Sequence, residues 1–577
     1  MNKKVKLSRI AAVTLVLSMF LLIPVCKTAG QIPKGGTFNA VLISEPRVVS
    51  PYTGSWTPGF VAGQIWNSLL AIDDNMEPTI PNLAKELPEI NEAEGSYTFK
   101  LREGVKWHDG EEFNAEDVKF TFEQMAQYDI FSSLYFKDTV VEILDDYTVK
   151  ITPGTFYPGI QMTLFGGLDT VIVPEHILGD NVEGYLDDTF RSGDPERTIG
   201  TGPFKFKEWV KGSHIVLERF DDFWGAPAPY LDEIVIKIIP EPSAVLAAFQ
   251  TGEADYVFRG MPYEAYDTLV ADENLNVYTN NRPPYKMVMP INTKHPVLSN
   301  VKVRQAMSYA IDRDSIVASA TNGLGSVTDS YWTPDITTPS PDRTIYTYNP
   351  DKAKELLDEA GYPADASGVR AGLELEFLTR RGEPEEALAA DIIEDDLEAV
   401  GFTIERKVVD FATMLELGSN FEFDFQLYKR WVMTFWTLQL FHSDWIIKGQ
   451  YFANSIQYDN PDVDKAFDNW RLEADPVKQR QYLQEAEALI SHDVPEILLY
   501  DVVFINVVRK TFKAVDGAKW GTLPDGRYVF WDSLHNMYWT EGEVPVNEFF
   551  TSLGLVGTAV VTASLALVIR QWRRKVN

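Results

Sequence analysis

Aromatic rings are densest in the segment YKRWVMTFWTLQLFHSDW, which holds Trp431, Phe435, Trp436 and Trp445 beside the hydroxyl of Thr434 and the carboxyl of Asp444. Side chains of this kind do not make or break bonds. They strip water from a guest and pack on its apolar faces, while a few polar groups orient it. Stacking on sugar faces uses the same rings as packing on peptide side chains. A second aromatic pair, Tyr331-Trp332, lies in a Thr/Pro-rich stretch expected to form a loop, where exposed rings serve binding. The candidate ligand-contacting set is therefore Trp431, Thr434, Trp436, Asp444, Trp445, Tyr331 and Trp332. Such rings also fill cores, and Trp107, Trp209 and Trp224 are read as packing residues.

Bond-making chemistry has no comparable footing. The sequence contains no H-E-x-x-H, G-x-S-x-G or phosphate-loop motif. Its seven histidines, among them His108, His176, His295 and His442, are widely spaced, and His108 reads as a structural hydrogen-bonding group. Gly323-Leu324-Gly325-Ser326 lacks the lysine of a phosphate loop and reads as a surface turn. Cys26 is the sole cysteine, which removes intrachain disulfides and cysteine metal sites. No catalytic residue, metal or cofactor is expected, so the chain reads as a binding protein and not as an enzyme.

The elements that must position such a site have clear local signals. In YTFKLREGVKWHDGEEFNAEDVKFTF, Tyr97, Phe99 and Leu101 alternate with polar residues, as in a strand with one buried face. Asp109-Gly110 supplies a turn, and Asn114 stands at a helix N-cap with Glu116 and Asp117 in the first turn. Phe113 and Val118 are spaced for a hydrophobic staple. Strand-like runs at 38–43, 215–218, 234–239, 373–378 and 497–499 alternate with helical ones. Val303, Ala306, Met307, Ala310 and Ile311 recur at the helical period; Asn349-Pro350 opens another helix, with Ala353, Leu356, Leu357 and Ala360 as its stripe and Gly361 at its end. This mixture predicts an α/β protein, and its length requires more than one domain.

The two ends predict where the protein works. Residues 1–30 carry a basic start, an apolar run at 10–25 and small residues near Ala29, the pattern of a removable signal peptide. Residues 549–569 are 21 residues without a charge, followed by a basic tail at 570–577. That pattern predicts a transmembrane anchor with its carboxyl end in the cytoplasm. Nine of the 52 Lys and Arg lie in these two ends, which hold no acid, leaving 43 bases against 84 acids between them and a net of −41. A surface this acidic repels nucleic acid, which is excluded as a main partner.

The 97–122 signature resembles that of the extracellular solute-binding proteins of ABC importers, the dipeptide/oligopeptide-binding class (family 5). The resemblance extends through IWNSLLAIDDNMEPTIPNLAKEL, TGPFKFKEWVKGSHIVLERFDDFWGAPAPYLDEIVIKIIPEPSAVLAAFQTGEADY, NTKHPVLSNVKVRQAMSYAIDRDSIV, YNPDKAKELLDEAGY and NPDVDKAFDNWRLEADPVKQRQYLQEAEALISHDVPEILLYD, in family order. It implies a two-lobed, periplasmic-binding-protein-like clamshell with an extra inserted domain. Lobe I would comprise 31–67, 196–282 and 513–540, the inserted domain 68–195 and lobe II 283–512, with a linker at 541–548 before the anchor. The implied partners are a peptide or other small ligand and permease subunits with cytoplasmic ATPases. The implied place is the cell surface.

The family's peptide binders carry, three residues after a cleft tryptophan, an acid that pairs with the peptide's amino group. Trp431 matches that tryptophan, and the acid's place falls on the neutral Thr434. Asp444 is an acid further along the segment that can substitute, and an oligosaccharide is the rival cargo. A sensory ectodomain and an extracellular hydrolase are the more distant alternatives; the short tail at 570–577 leaves little room for a signalling domain, and the catalytic motifs are missing.

Overall fold

A computed structural model describes residues 34–46, 49, 56–71, 78–127, 136–156, 165–166, 170–179, 194–225, 229–257, 261–332, 337–432, 434–450, 453–514 and 537–539. The signal peptide, the linker, the 549–569 anchor and the basic tail expected from the sequence lie outside these residues. No helix among the described residues is long and apolar enough to cross a membrane.

The first lobe is built on β1 (Thr37–Leu42), which is parallel to both of its neighbours. The inserted strands β2 (Glu89–Asn91), β3 (Ser96–Lys100), β4 (Val140–Asp145) and β5 (Thr148–Thr152) form a separate antiparallel sheet in the order β2-β3-β5-β4. The chain then returns as β6 (Phe204–Val210), β7 (His214–Arg219) and β8 (Glu233–Ile238), an antiparallel meander whose last strand lies beside β1. Alternation explains the burial: Ile215 and Leu217, and Ile234 and Ile236, enter one core with Phe38 and Ala40. The short strand β9 (Tyr256–Val257) covers the other side of β1.

Two long strands carry the chain between lobes. β10 (Leu275–Pro290) is antiparallel to the last major strand, Glu496–Arg509, over nearly its whole length. Leu275–Asn280 pairs with residues 504–509, and Tyr285–Pro290 pairs with residues 496–502, with a register slip between. Val507 and Val508 of the late strand also pair with β9.

The second lobe has a small parallel sheet, β11 (Glu374–Arg380) between β12 (Thr403–Val409) and β13 (Phe425–Gln426). β14 (Tyr428–Trp431) then joins the edge of β10, and the Glu496–Arg509 strand is β15. Between β3 and β4 comes α1 (Ala115–Gln127); the second lobe adds α2 (Val301–Ala310), α3 (Arg313–Ala320), α4 (Pro350–Glu359), α5 (Pro384–Ala399), α6 (Thr434–Phe441), α7 (Pro461–Leu472) and α8 (Pro476–Asp493). The expected stripe of α2 and, in α4, Ala353, Leu356 and Leu357 are buried in one core with β11, while Ala360 caps α4 and is only half-buried. Asn349 caps α4 through the Lys352 N–H at 3.0 Å.

The 97–122 signature folds as its residues predict. Tyr97 and Phe99 are buried, and Asn114 accepts the Glu116 N–H at 2.7 Å while Asp117 accepts the Asn114 N–H at 3.0 Å. Its His108 ties this segment to the chain at 200–202: Nδ1 accepts the Gly200 N–H at 3.2 Å, which leaves Nε2 to donate to the Gly202 carbonyl at 2.9 Å. Both glycines are required by close approach, because a Cβ at either position would fall within 2.6 Å of the Ile65 backbone.

Candidate ligand-binding site

Trp431 is delivered by β14, whose pairing sets it opposite Tyr285, Arg430 opposite Lys286, and Lys429 opposite Met287. Successive strand side chains leave by opposite faces, so Lys429 and Trp431 share one face and Arg430 takes the other. Trp431 is half-buried and packs against two apolar clusters, one holding Tyr285, Met287 and Tyr500, the other Phe441 and Trp445. Among the candidate rings with described side chains, it alone keeps partial exposure.

Beneath it lies a row of buried charge. Arg430 donates from Nε and Nη2 to the two oxygens of Glu496 at 3.1 and 2.6 Å. Burial pushes the Glu496 carboxyl up, and Arg430 opposes this without cancelling it. Lys286, almost fully buried, donates to Asp501 at 2.5 Å and to Thr328 at 2.7 Å. Burial pulls its ammonium down, against the attraction of Asp501.

Tyr331 and Trp332 are not exposed on a loop: they retain 3% and 1% exposure. The Tyr331 hydroxyl donates to the Glu496 carbonyl at 2.6 Å, and its ring meets Phe441 edge-on at 5.4 Å. The Trp332 indole donates to the Leu483 carbonyl at 3.2 Å. The polar stretch that suggested an exposed loop is folded inward by Glu487, a buried carboxylate that accepts the Ser330 hydroxyl and the N–H groups of Tyr331 and Ser340. These two rings are core residues of the second lobe.

The remaining candidates separate. Thr434 opens α6 and Trp436 lies in its first turn; their side chains fall outside the described residues. Asp444 is exposed, with its N–H donating to His442 Nδ1 at 3.1 Å, so it is oriented by a local turn. Its neighbour Trp445 is buried in the cluster with Phe441, Tyr331 and Trp332. Lys286, Lys429, Arg430, Glu496 and Asp501 were absent from the sequence-derived set. The adjacent pair Lys429-Arg430 before Trp431, in so acidic a chain, was the available signal. Its buried partner Glu496 is 66 positions away, and Asp501 is 215 from Lys286.

Two lobes joined by paired crossing strands, with an aromatic and charged wall beside the junction, define a solute-binding fold of the periplasmic type. The family profile for bacterial extracellular solute-binding proteins, family 5 Middle, matches residues 79–452. The chain belongs to this family. It is 30% identical to the oligopeptide-binding protein AppA of Bacillus subtilis, over 82% of this chain and 88% of that one. It is 29% identical to the dipeptide-binding protein of Escherichia coli, over 60% of this chain and 66% of that one. The solved structure of AppA from Bacillus subtilis in complex with a nonapeptide has the same fold, with a TM-score of 0.75 and 24% identity over 88% of this chain and all of that one.

Proposed function

We propose that this chain is the extracellular substrate-binding subunit of an ABC importer, which captures peptides between its lobes and hands them to a permease driven by cytoplasmic ATPases. The observation that carries the mechanism is the β10–β15 ribbon, with its register slip between Asn280 and Tyr285 at the lobe boundary. Two strands with a local irregularity bend more readily than a packed interface, so the lobes can open and close as bodies. Ligand touching both lobes binds the closed form better and shifts the population toward it. Membership of family 5 and the names of the relatives support peptide as the cargo. The apolar 549–569 segment and its basic tail support tethering of this ectodomain to the cytoplasmic membrane.

A neutral Thr434 where the family's peptide binders carry an acid favours a second cargo, an oligosaccharide, packed on the same rings. Mass spectrometry of what co-purifies with the chain separates them. Retained peptides, with compaction in small-angle scattering when they are added back, support the first reading; retained glycans with no peptide overturn it.

A further inference from the structure

We infer that the ectodomain faces the bilayer with the pole of its first lobe farthest from the cleft, so that the cleft stands outward and meets a membrane partner only when the body tips over that pole. This rests on the tethering by residues 549–569 proposed above and adds which face of the molecule the membrane sees.

Strand register fixes the direction of the first lobe. Ala40 and Val41 of β1 pair with Tyr256 and Val257 of β9, which pair in turn with Val508 and Val507 of β15. Moving forward along β1 is therefore moving backward along β15. On the next strand, β10, Leu275 stands opposite Arg509 and Asn280 opposite Phe504. The slip at the lobe boundary follows Asn280, five residues or roughly 17 Å beyond Leu275. The start of β1 and the end of β15 thus share one pole, and the second lobe lies past the opposite one.

Both apolar stretches of the sequence, 10–25 and 549–569, connect to the described chain at that shared pole. At the amino end, the Gly35 N–H donates to the Tyr230 carbonyl at 2.7 Å and the Asp232 N–H to the Gly36 carbonyl at 2.9 Å, which pins the chain beside the start of β8. At the carboxyl end, β16 (Phe512–Ala514) pairs antiparallel with β17 (Met537–Trp539), and Trp539 stands opposite Phe512. The buried Phe512 ring meets Phe38 of β1 edge-on at 5.0 Å, so Trp539 is held level with the start of β1.

The tether is short. Phe549 follows Trp539 by ten residues. Ten residues span at most roughly 35 Å, only about twice the distance from Leu275 to the slip. The pole cannot leave the bilayer by more than this, whereas the second lobe is free to swing outward. Charge does not glue the pole down: among its exposed side chains, Asp221, Asp232, Glu253 and Glu273 outweigh Lys34 and Lys510, and anionic headgroups repel such a surface. The tether alone sets the orientation, and its slack lets the body tip.

The test places the full chain, with Cys26→Ser to remove the native thiol, in phosphatidylcholine–phosphatidylglycerol vesicles that carry an acceptor dye on their headgroups. A donor dye is attached at Glu273→Cys on the pole or at Lys354→Cys on α4 of the second lobe, both exposed positions. Energy transfer from position 273 should exceed that from 354 at least about twofold, because the reach of the tether bounds the first distance and not the second. Inserting about thirty Gly and Ser residues between 540 and 548 should roughly double the mean separation of the pole from the bilayer and shrink that ratio. Equal transfer from the two positions, or stronger transfer from 354, overturns the orientation and leaves tethering standing. A ratio unchanged by the insertion overturns the tether as its cause. A full chain that does not float with the vesicles overturns the tethering and the orientation together.

Discussion

Tyr285 of β10 and Phe504 of β15 meet edge to face, with 5.5 Å between ring centroids, where the pairing of the two crossing strands slips. The backbone ladder is weakest at this point, so the two rings hold the ribbon together where its hydrogen bonds do not. Edge-to-face pairs stabilise by about 0.5–1.5 kcal/mol beyond their area. Phe504→Ala is expected to lower stability by about 1–2 kcal/mol and to broaden the distribution of inter-lobe distances measured by double electron–electron resonance. A distribution as narrow as that of the wild type would place the bending elsewhere.

Trp431 and Trp332 give opposite expectations although both are tryptophans in the second lobe. Trp332→Ala empties a fully buried, hydrogen-bonded position and should cost about 3–5 kcal/mol in urea unfolding. Trp431→Ala removes a half-buried ring at the junction and should cost less than about 2 kcal/mol while weakening retention of cargo at least about tenfold. Comparable losses of stability would make Trp431 a packing residue.

The Arg430–Glu496 pair is buried on both sides, with side-chain exposures of 5% and 3%. Breaking one partner strands the other in a low-dielectric interior. Arg430→Met alone should destabilise by about 3–5 kcal/mol, and combining it with Glu496→Leu should restore most of that loss. A double-mutant cycle in denaturant measures the coupling directly.

His108 makes stability depend on pH in the mildly acidic range. Burial pulls its imidazole down to about 4, and its bonds to Gly200 and Gly202 fit the neutral ring. The unfolded chain takes up this proton near its ordinary value of about 6.5, while the folded chain refuses it until about 4. The contribution is therefore complete above about pH 6.5 and declines as pH falls toward 4, by up to roughly 3 kcal/mol. Thermal midpoints measured between pH 7.5 and 4.5 should fall more steeply for the wild type than for His108→Asn. Parallel curves would remove His108 as the cause.

Local signals carried the fold a long way. The cap at Asn114, the cap at Asn349 and the alternation of Tyr97 and Phe99 each depend on neighbours within a few residues, so they could be read in order along the chain. The site was legible only in part. Trp431 stood out by its surroundings, but Tyr331-Trp332 looked like an exposed loop because Glu487, the group that folds it inward, lies 156 positions from Tyr331. The electrostatic row was invisible for the same reason: Arg430 and Lys286 look like surface cations until β10, β14 and β15 are laid side by side.

The sequence by itself determined the kinds of elements, the acidity between its two ends and the family motifs, because periodicity, capping and composition are local or additive. The tertiary structure decided which aromatic rings are buried, which charges are paired, and where the chain crosses from lobe to lobe. Those outcomes depend on contacts between residues remote in the chain, and a residue's burial is a property of the neighbours that cover it.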